Sequence, residues 1–223
     1  MKTTAMENIV ISAVLFVIVF INLICMSYII SITNILFQEY HVIIDVFLFI
    51  FLFILLSAAT IRILLRISPL YDEKLNMLSN RAFYWKLITS VTEIGGMYFI
   101  PFIPLFLRPL FYSLFGATIG KNAEIAGKLI ELPLITIEEY ALVGGGTLIT
   151  AHAIVHDHIL LKPIKISRKA TIGLGAIIMP GVSVGENSVI APGAVVLVDT
   201  KIPPNEFWGG VPAKKIKTIE PAT

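Results

Sequence analysis

The chain has 223 residues, of which 57% are hydrophobic, and its 17 basic and 15 acidic residues give a formal net charge of +2. This apolar share argues against an entirely soluble globule, and the length allows one or two domains. The interspersed, nearly balanced charges exclude the basic footprint of a nucleic-acid-binding protein. The single cysteine, Cys25, excludes an intrachain disulfide and a cysteine metal cluster.

Two long apolar runs occupy the N-terminal part of the chain, residues 9–32 and 42–65. Each is long enough to cross a hydrocarbon core of roughly 30 Å as a helix. The first run lacks a cleavage signature and is followed at once by the second, which favours a retained anchor over a signal peptide. We therefore predict a membrane-anchoring domain with two transmembrane helices over residues 1–66.

The distribution of basic residues predicts the orientation of this anchor. No Lys or Arg lies between the two runs, whereas five basic residues follow the second run: Arg62, Arg66, Lys74, Arg81 and Lys86. The positive-inside rule then places both termini and the C-terminal domain on the cytoplasmic side of the membrane, which we take to be a bacterial-type inner membrane. The same five side chains are predicted to meet anionic lipid headgroups.

Residues 67–116 are predicted to form an interfacial or re-entrant amphipathic linker. Their second half is apolar, but four residues interrupt it: Pro101, Pro104, Arg108 and Pro109. Prolines and an arginine in such a run disfavour a third transmembrane helix. Four aromatic side chains are expected at headgroup depth, namely Tyr84, Trp85, Tyr98 and Tyr112.

A six-residue repeat dominates the second half of the chain. The stretch 171–196 has an aliphatic residue at every sixth position, and the series extends backwards with one slip and one break, at Glu131. The series comprises Ile119, Ile125, Ile137, Val143, Ile149, Val155, Leu161, Ile166, Ile172, Ile178, Val184, Ile190 and Val196. This period fits neither an α-helix nor an alternating strand, and a β-sandwich would not keep one phase for so long. It predicts a solenoid with three strands in each coil of about 18 residues, and between four and five coils over 119–201.

The repeats of residues 116–217, with the ending "IPPNEFWGGVPAKKIK", resemble the hexapeptide-repeat acyltransferases, and the whole chain resembles their membrane-anchored members. The resemblance implies an all-β left-handed parallel β-helix over 117–202 and a C-terminal loop and cap over 203–223. Handedness comes from the family, since ordinary parallel crossovers are right-handed. The resemblance also implies a homotrimer and acetyl-CoA or another acyl-CoA as donor, with no metal.

Three of the four histidines lie at the slip in the repeat, in "ITAHAIVHDHILLKPIKI". The resemblance implies that His152, which precedes the strand Pro163–Ile166, is the general base. Neutral imidazole can accept and return a proton near neutral pH. The alternative is that these histidines belong to a solvated loop, and for His156 and His158 we favour that interpretation.

Glu131 is the second catalytic candidate. A carboxylate on an inward position is costly to bury unless it is paired. Either this hexad leaves the coil, or Glu131 orients a histidine or the acceptor, as carboxylates do in the family it resembles. The sequence leaves both alternatives open.

The resemblance also implies a site for the nucleotide and pantetheine arm of the coenzyme. Lys214 and Lys215 would meet its phosphates, Trp208 would belong to the closing loop, and backbone groups near Gly193 and Ala194 would line the arm. The alternative is that the lysines are the solvated face of a capping segment and that Trp208 covers the end of the solenoid.

Together these features predict a membrane-bound acyltransferase. It would transfer an acyl group, expected to be acetyl, from acyl-CoA to a hydroxyl or amine of a sugar, glycolipid or lipid-linked acceptor, with His152 as base. One alternative is a non-catalytic, membrane-anchored scaffold. The other is a zinc-dependent γ-type carbonic anhydrase, which needs three histidines around one metal; only His41 lies outside the cluster at 152–158, so the histidine count disfavours it.

Overall fold

The structure, a computed structural model, describes residues 3–220. Residues 1–2 and 221–223 of the predicted first and last domains lie outside this range. The chain divides into two compact units. A helical unit comprises Met1–Ser68 with Phe83–Phe99, and a solenoid unit comprises Pro69–Ala82 with Ile100–Thr223.

Two long helices, α1 (Ala5–Phe37) and α2 (His41–Ile67), form most of the helical unit. A capping box begins α1, because the Thr4 hydroxyl accepts from the Glu7 amide while the Glu7 carboxylate accepts from the Thr4 amide. A 3₁₀ turn separates the helices. They pack side by side, since Asn22 Nδ2 donates to the Phe49 carbonyl at 3.0 Å.

The two predicted transmembrane runs lie within α1 and α2. The helical segment Ala5–Ile67 is long and apolar enough to cross a membrane, with a mean hydropathy of 3.0 in its most apolar 18-residue window. Only 17% of that window is buried in the protein. Membrane crossing itself stays a prediction, because it rests here on length and composition.

A third helix, α3 (Asn80–Gly95), contacts both long helices within the helical unit. The fully buried Lys86 ammonium lies 3.0 Å from the Glu7 carboxylate of α1. At the other end of α3, a Cβ on Gly95 would lie 2.3 Å from the Ser57 side chain of α2. The prediction that Lys86 faces lipid headgroups is therefore wrong, because the carboxylate of Glu7 compensates its charge inside the unit.

The proline-rich part of the linker is a series of short elements. It contains two 3₁₀ helices, Met97–Phe102 and Leu105–Leu107, followed by α4 (Arg108–Leu114). No continuous helix therefore runs through residues 94–115, as the prolines indicate. The membrane contacts predicted for this linker stay a prediction.

Two of the four linker aromatics lie inside the protein. Trp85 is 2% exposed, and Tyr112 of α4 is fully buried with its hydroxyl donating to the Gly127 carbonyl at 2.8 Å. Burial raises the pKa of Tyr112 to about 12. The prediction of headgroup positions for Trp85 and Tyr112 is wrong, because Trp85 is packed within the helical unit and α4 packs Tyr112 against the first coil of the solenoid.

The solenoid has three faces of parallel strands, and each turn of the chain contributes one strand to each face. Face 1 contains β2 (Thr118–Ile119), β5 (Ile135–Ile137), β10 (Ile164–Ile166), β13 (Ser183–Val184) and β16 (Lys201–Ile202). Face 2 contains β3 (Glu124–Ile125), β6 (Leu142–Val143), β11 (Thr171–Ile172), β14 (Val189–Ile190) and β17 (Glu206–Gly209), to which β18 (Lys214–Thr218) adds antiparallel. Face 3 contains β4 (Lys128–Ile130), β7 (Leu148–Thr150), β12 (Ile177–Ile178) and β15 (Val195–Val196).

The aliphatic hexad positions form the core of this solenoid. In face 2, for example, Val143, Ile172 and Ile190 are paired in register and are at most 3% exposed. Four complete coils are followed by an incomplete fifth, formed by β16 and β17. The predicted β-solenoid and its number of coils are therefore confirmed.

The repeat is interrupted where residues 152–161 leave the solenoid. They form an antiparallel pair, β8 (His152–Val155) and β9 (His158–Leu161), which β1 (Glu73–Asn76) extends to three strands. Val155 is 54% exposed. The prediction that it points into the core is wrong, because an antiparallel excursion also carries aliphatic residues and the sequence period does not distinguish the two.

Gly173 permits close stacking of two coils and provides a test of the solenoid. A Cβ at this position would lie 2.5 Å from the Pro192 amide nitrogen of the next coil. We expect Gly173→Ala to lower the free energy of unfolding by about 1–3 kcal/mol through overpacking. The measurement is the thermal midpoint of the detergent-solubilised protein. Gly145→Ala is the control, because its Cβ would meet nothing closer than 3.6 Å; equal shifts in both variants would contradict the close contact between coils.

Candidate functional site

A histidine and a buried carboxylate meet at the edge where face 3 passes into face 1. Glu131 follows β4 in the left-handed region, with φ of 59°, and His152 begins β8 one coil later. Since β4 and β7 are paired with Ile130 opposite Thr150, the residues that follow them come together. The His152 Nδ1 and Glu131 Oε2 atoms are 2.7 Å apart.

The environment of this pair is buried on the glutamate side and accessible on the histidine side. The Glu131 side chain is fully buried, whereas 24% of the His152 side chain is exposed. Among the residues that the structure describes, Glu131 Oε1 has no hydrogen-bond partner. An ion pair or charge-assisted hydrogen bond to His152 compensates this carboxylate.

Thr150 completes the site, and the sequence did not reveal it. Its Oγ1 lies 3.2 Å from His152 Nδ1 and 3.5 Å from Glu131 Oε2, and it accepts from the His152 amide at 3.4 Å. The signal that could have found it is strand register, because Thr150 is the last residue of β7 and directly precedes the edge. Without knowledge of which strands pair, the position of a single threonine in the sequence does not indicate that it lies beside Glu131 and His152.

The geometry of the pair selects one atom of the histidine for chemistry. Because Nδ1 faces the carboxylate, a proton on Nδ1 is stabilised and the ring can accept another at Nε2. The carboxylate also stabilises the imidazolium that would then form. The site can therefore act as an oriented general base.

His156 and His158 lack a buried carboxylate partner of this kind, whereas His41 Nδ1 lies 2.9 Å from the Asp45 carboxylate within the helical unit. His156 is exposed in the turn between β8 and β9, and the His158 ring contacts the exposed Asp157 carboxylate at 2.7 Å. Within residues 3–220, no group of three or more His, Cys, Asp or Glu side chains is arranged to hold a metal ion. Among the three histidines of the solenoid unit, His152 is thus the one with a buried carboxylate partner.

The predicted coenzyme residues near the C-terminus surround a carboxylate that the sequence analysis missed. Trp208 Nε1 donates to Glu206 Oε2 at 2.7 Å, and Lys215 Nζ donates to Glu206 Oε1 at 2.6 Å. Lys214 is exposed on β18. Lys215 therefore has an internal partner, whereas the exposed Lys214 lies at the surface; the sequence gives no signal for Glu206 beyond its position before "FWGG".

Gly193 and Ala194 lie at the edge between faces 2 and 3, next to the strand that carries Trp208. Gly193 has φ of 69° and open space where a Cβ would lie, while the Ala194 methyl is buried. Their amides donate to the carbonyls of Leu174 and Ala191. Bare backbone is therefore the surface that this edge offers to a ligand.

The two sets of predicted site residues occupy different edges of the solenoid. Glu131 and His152 lie between faces 3 and 1, whereas Gly193, Trp208 and the two lysines lie on or beside face 2. The width of face 3 separates them within one chain. A single chain thus brings together the histidine with its carboxylate, and separately the coenzyme residues, but does not join the two sets.

Glu206 also predicts a measurable dependence of stability on pH. Hydrogen bonds from Lys215 and then Trp208 lower its pKa. A lowered pKa in the folded state contributes stability above the ordinary glutamate pKa of about 4.3, and the contribution is lost as the pH falls through the folded value. We expect Glu206→Gln to lower the thermal midpoint at neutral pH, with the difference from wild type shrinking below about pH 4. Exposed Glu186→Gln is the control, and a difference that grows on acidification would refute the assignment.

The amino-acid sequence is similar to acetyltransferases and, over a shorter stretch, to gamma carbonic anhydrases. The chain is 32% identical over 124 residues to galactoside O-acetyltransferase of Escherichia coli, a match that covers 51% of this chain and 60% of that one. It is 31% identical over 78 residues to mitochondrial gamma carbonic anhydrase 2 of Arabidopsis thaliana, covering 35% of this chain and 26% of that one. The chain thus spans 60% or less of the length of these two relatives. No model of a known protein family matches the chain.

The fold is similar to that of a solved galactoside acetyltransferase in complex with coenzyme A. The two align with a TM-score of 0.53 and 22% identity, over 67% of this chain and 88% of the other. At this identity the likeness concerns the fold, and it supports a solenoid of the left-handed β-helix type.

Proposed function

We propose that this chain, whose repeat domain is similar in sequence and fold to hexapeptide-repeat acetyltransferases, is a membrane-bound acyltransferase that uses acyl-CoA. The observation that carries the proposal is the 2.7 Å contact between His152 Nδ1 and the fully buried Glu131 carboxylate. A buried carboxylate beside a partly exposed histidine fixes the tautomer of the ring and orients it as a general base. It also gives the carboxylate a role, which a non-catalytic scaffold would not need.

The proposed reaction is a direct transfer. His152 Nε2 takes the proton of an acceptor hydroxyl or amine while the acceptor atom attacks the thioester carbonyl of acyl-CoA. The carbon–sulfur bond then breaks, and the imidazolium returns its proton to the leaving thiolate. The products are the acylated acceptor and free coenzyme A, so that atoms and charges balance without a further reactant.

The coenzyme would lie along the edge that contains Gly193 and Ala194. Open space above Gly193 leaves room for the pantetheine arm, and the exposed Lys214 offers a cation to the phosphates. Lys215 could also contact the phosphates, but its ammonium would then have to bind them and the Glu206 carboxylate at the same time. Trp208, held by the same carboxylate, would present its indole at the end of face 2.

A homotrimer would unite the two parts of the site. Because the width of face 3 separates His152 from the coenzyme residues in one chain, a second copy must bring its own edge to complete a compact site. The trimer implied by the resemblance provides such a meeting of edges. Native mass measurement that finds a monomer with full activity would contradict this part of the proposal.

The helical unit would anchor the enzyme in a membrane, with the solenoid in the cytoplasm and the linker 67–116 at the interface. The high hydropathy of Ala5–Ile67 and the small buried fraction of its most apolar window support this location. A core helix of a soluble protein would be largely buried instead. Anchoring would hold the site near a membrane-linked acceptor, such as a lipid-carried sugar or a glycolipid.

The experiment is transfer of label from radioactive acetyl-CoA into lipid and glycan fractions. Membranes containing the wild-type chain are compared with membranes from the same cells lacking it. Label that depends on the chain supports the acyltransferase and identifies the acceptor fraction. No label, together with no binding of acetyl-CoA to the purified trimer, would favour the scaffold.

A zinc-dependent carbonic anhydrase is the second candidate, because two of the relatives are named gamma carbonic anhydrases. Against it, the part of the chain that the structure describes contains no cluster of three metal-ligating side chains. Stoichiometric zinc in the purified protein, with carbon dioxide hydration that a chelator abolishes, would favour this candidate over the acyltransferase.

A further inference from the structure

Strand β1 comes from an unexpected part of the chain. Residues 68–72 separate it from the end of α2, and residues 77–79 separate it from the start of α3. Both of those helices belong largely to the helical unit, whereas β1 belongs to the solenoid unit. The strand is therefore connected to the helical unit at both of its ends.

This strand is the outer member of the sheet that begins with the catalytic histidine. It pairs antiparallel with β9, with Glu73 opposite Leu161, and Leu161 is in turn opposite His152 of β8. The three residues thus lie in one row across the sheet. A two-stranded hairpin is marginally stable by itself, and a third strand fixes its backbone.

Buried side chains and a further backbone bond hold β1 in place. Leu75 and Met77 are 7% and 3% exposed, and the Met77 amide donates to the Asp157 carbonyl at 2.9 Å. Asp157 lies in the turn that joins β8 to β9. The segment therefore contacts the excursion both along β9 and at its tip.

Arg81, the second residue of α3, fastens the beginning of this segment. Its guanidinium forms two hydrogen bonds with the Glu73 carboxylate and donates to the Pro69 carbonyl at 3.0 Å. It also lies over the Tyr71 ring, 5.2 Å from the centroid. We call Tyr71, Glu73 and Arg81 the clamp.

We propose that the clamp positions His152, acting through the β1, β9 and β8 row, so that Glu73 and Arg81 are positioning residues of the acyl transfer. This inference rests on the proposed function. The clamp lies at the outer edge of the sheet, two strands away from His152. It holds β1, which pairs with β9, and β9 pairs in turn with β8 and His152. A partly exposed ion pair of this kind contributes little to global stability.

The test compares Arg81→Gln and Arg81→Lys with the wild-type full chain in detergent or membranes. Because small displacements of a catalytic group are costly, we expect Arg81→Gln to lower kcat about tenfold or more. The KM for acetyl-CoA should change by less than about twofold, since the coenzyme residues lie on another edge. Lysine keeps one ion pair but not the planar fork, so Arg81→Lys should recover part of kcat.

Hydrogen exchange supplies a readout that does not depend on activity. Opening of the outer strand should speed amide exchange in residues 73–76 and 152–161 by about tenfold in Arg81→Gln, with the rest of the solenoid unchanged. Glu73→Gln should behave alike, and the double variant should be no worse than either single one. The control is Arg168→Gln, which breaks an ion pair of similar exposure with Glu139 that does not contact the excursion.

The outcomes distinguish this inference from the proposed function. An active wild type with normal kcat and normal exchange in Arg81→Gln would overturn the clamp and leave the acyltransferase standing. An inactive wild type would overturn the acyltransferase, and it would remove the positioning role with it. Faster exchange throughout the solenoid would also overturn the proposal, because it would make Arg81 a general stabilising residue.

Discussion

Replacing His152 with alanine is expected to lower acyl transfer at saturating acetyl-CoA and acceptor by about 10²–10⁴-fold, the range typical of a lost general base. The acceptor proton would then have no recipient, because Nε2 is the nitrogen that the Glu131 contact leaves for chemistry. Binding of acetyl-CoA should persist, since the coenzyme residues lie on a different edge. The measurement is label transfer at matched expression, with binding measured on the purified protein.

His156→Ala is the matched control for this prediction. His156 lies in the same excursion but is exposed in the turn and has no buried carboxylate beside it. We expect its activity to remain within about twofold of wild type, as for other exposed substitutions away from the site. Equal label from His152→Ala and wild type would remove His152 as the base.

The second large effect is expected for Glu131→Gln, which replaces the buried carboxylate with an amide of the same shape. The amide nitrogen would donate to Nδ1, so that the ring carries its proton on Nε2 and cannot accept another there. The charge that stabilises the imidazolium is also lost. We expect kcat to fall by about 10²–10⁴-fold, while KM stays nearly unchanged. The estimate follows the loss of kcat seen when the aspartate of a Ser-His-Asp triad is replaced by asparagine.

Stability separates this catalytic effect from unfolding. Because the substitution removes a charge from a fully buried site, the thermal midpoint should stay the same or rise. The double variant with His152→Ala should be no less active than His152→Ala alone, since the two residues act as a unit. Exposed Glu139→Gln is the control. Additive losses in the double variant would show that Glu131 acts independently of His152.

Several features followed from one-dimensional patterns in the chain. The period of six predicted the solenoid, the prolines at 101, 104 and 109 predicted an interrupted linker, and the slip in the repeat pointed to the excursion that begins with His152. A solenoid fold can be predicted from sequence spacing because each coil contacts the next one along the chain. Residues that are a fixed distance apart in the sequence are therefore also in contact in the structure. The same locality made the series of buried aliphatic residues visible.

The candidate site was predictable only in part. The sequence singled out His152 and Glu131 separately but left open whether they meet, because the contact depends on the left-handed backbone at Glu131 and the short turn after it. Thr150 and Glu206 were missed, since a hydroxyl and a carboxylate gain significance only from their neighbours. Burial of Tyr112 was missed for the same reason, because an aromatic residue fits a membrane interface and a solenoid cap equally well.

The spacing of aliphatic residues along the chain was enough to predict the coils, because the partner of each hexad lies a fixed number of residues away. The antiparallel excursion, its third strand β1 and the pairing of Lys86 with Glu7 join residues whose separation follows no period. Glu73 and Leu161, for example, are brought together across the whole linker and the first coils. Such contacts depend on which buried surfaces and charges compensate one another in three dimensions, and only the tertiary structure specifies them.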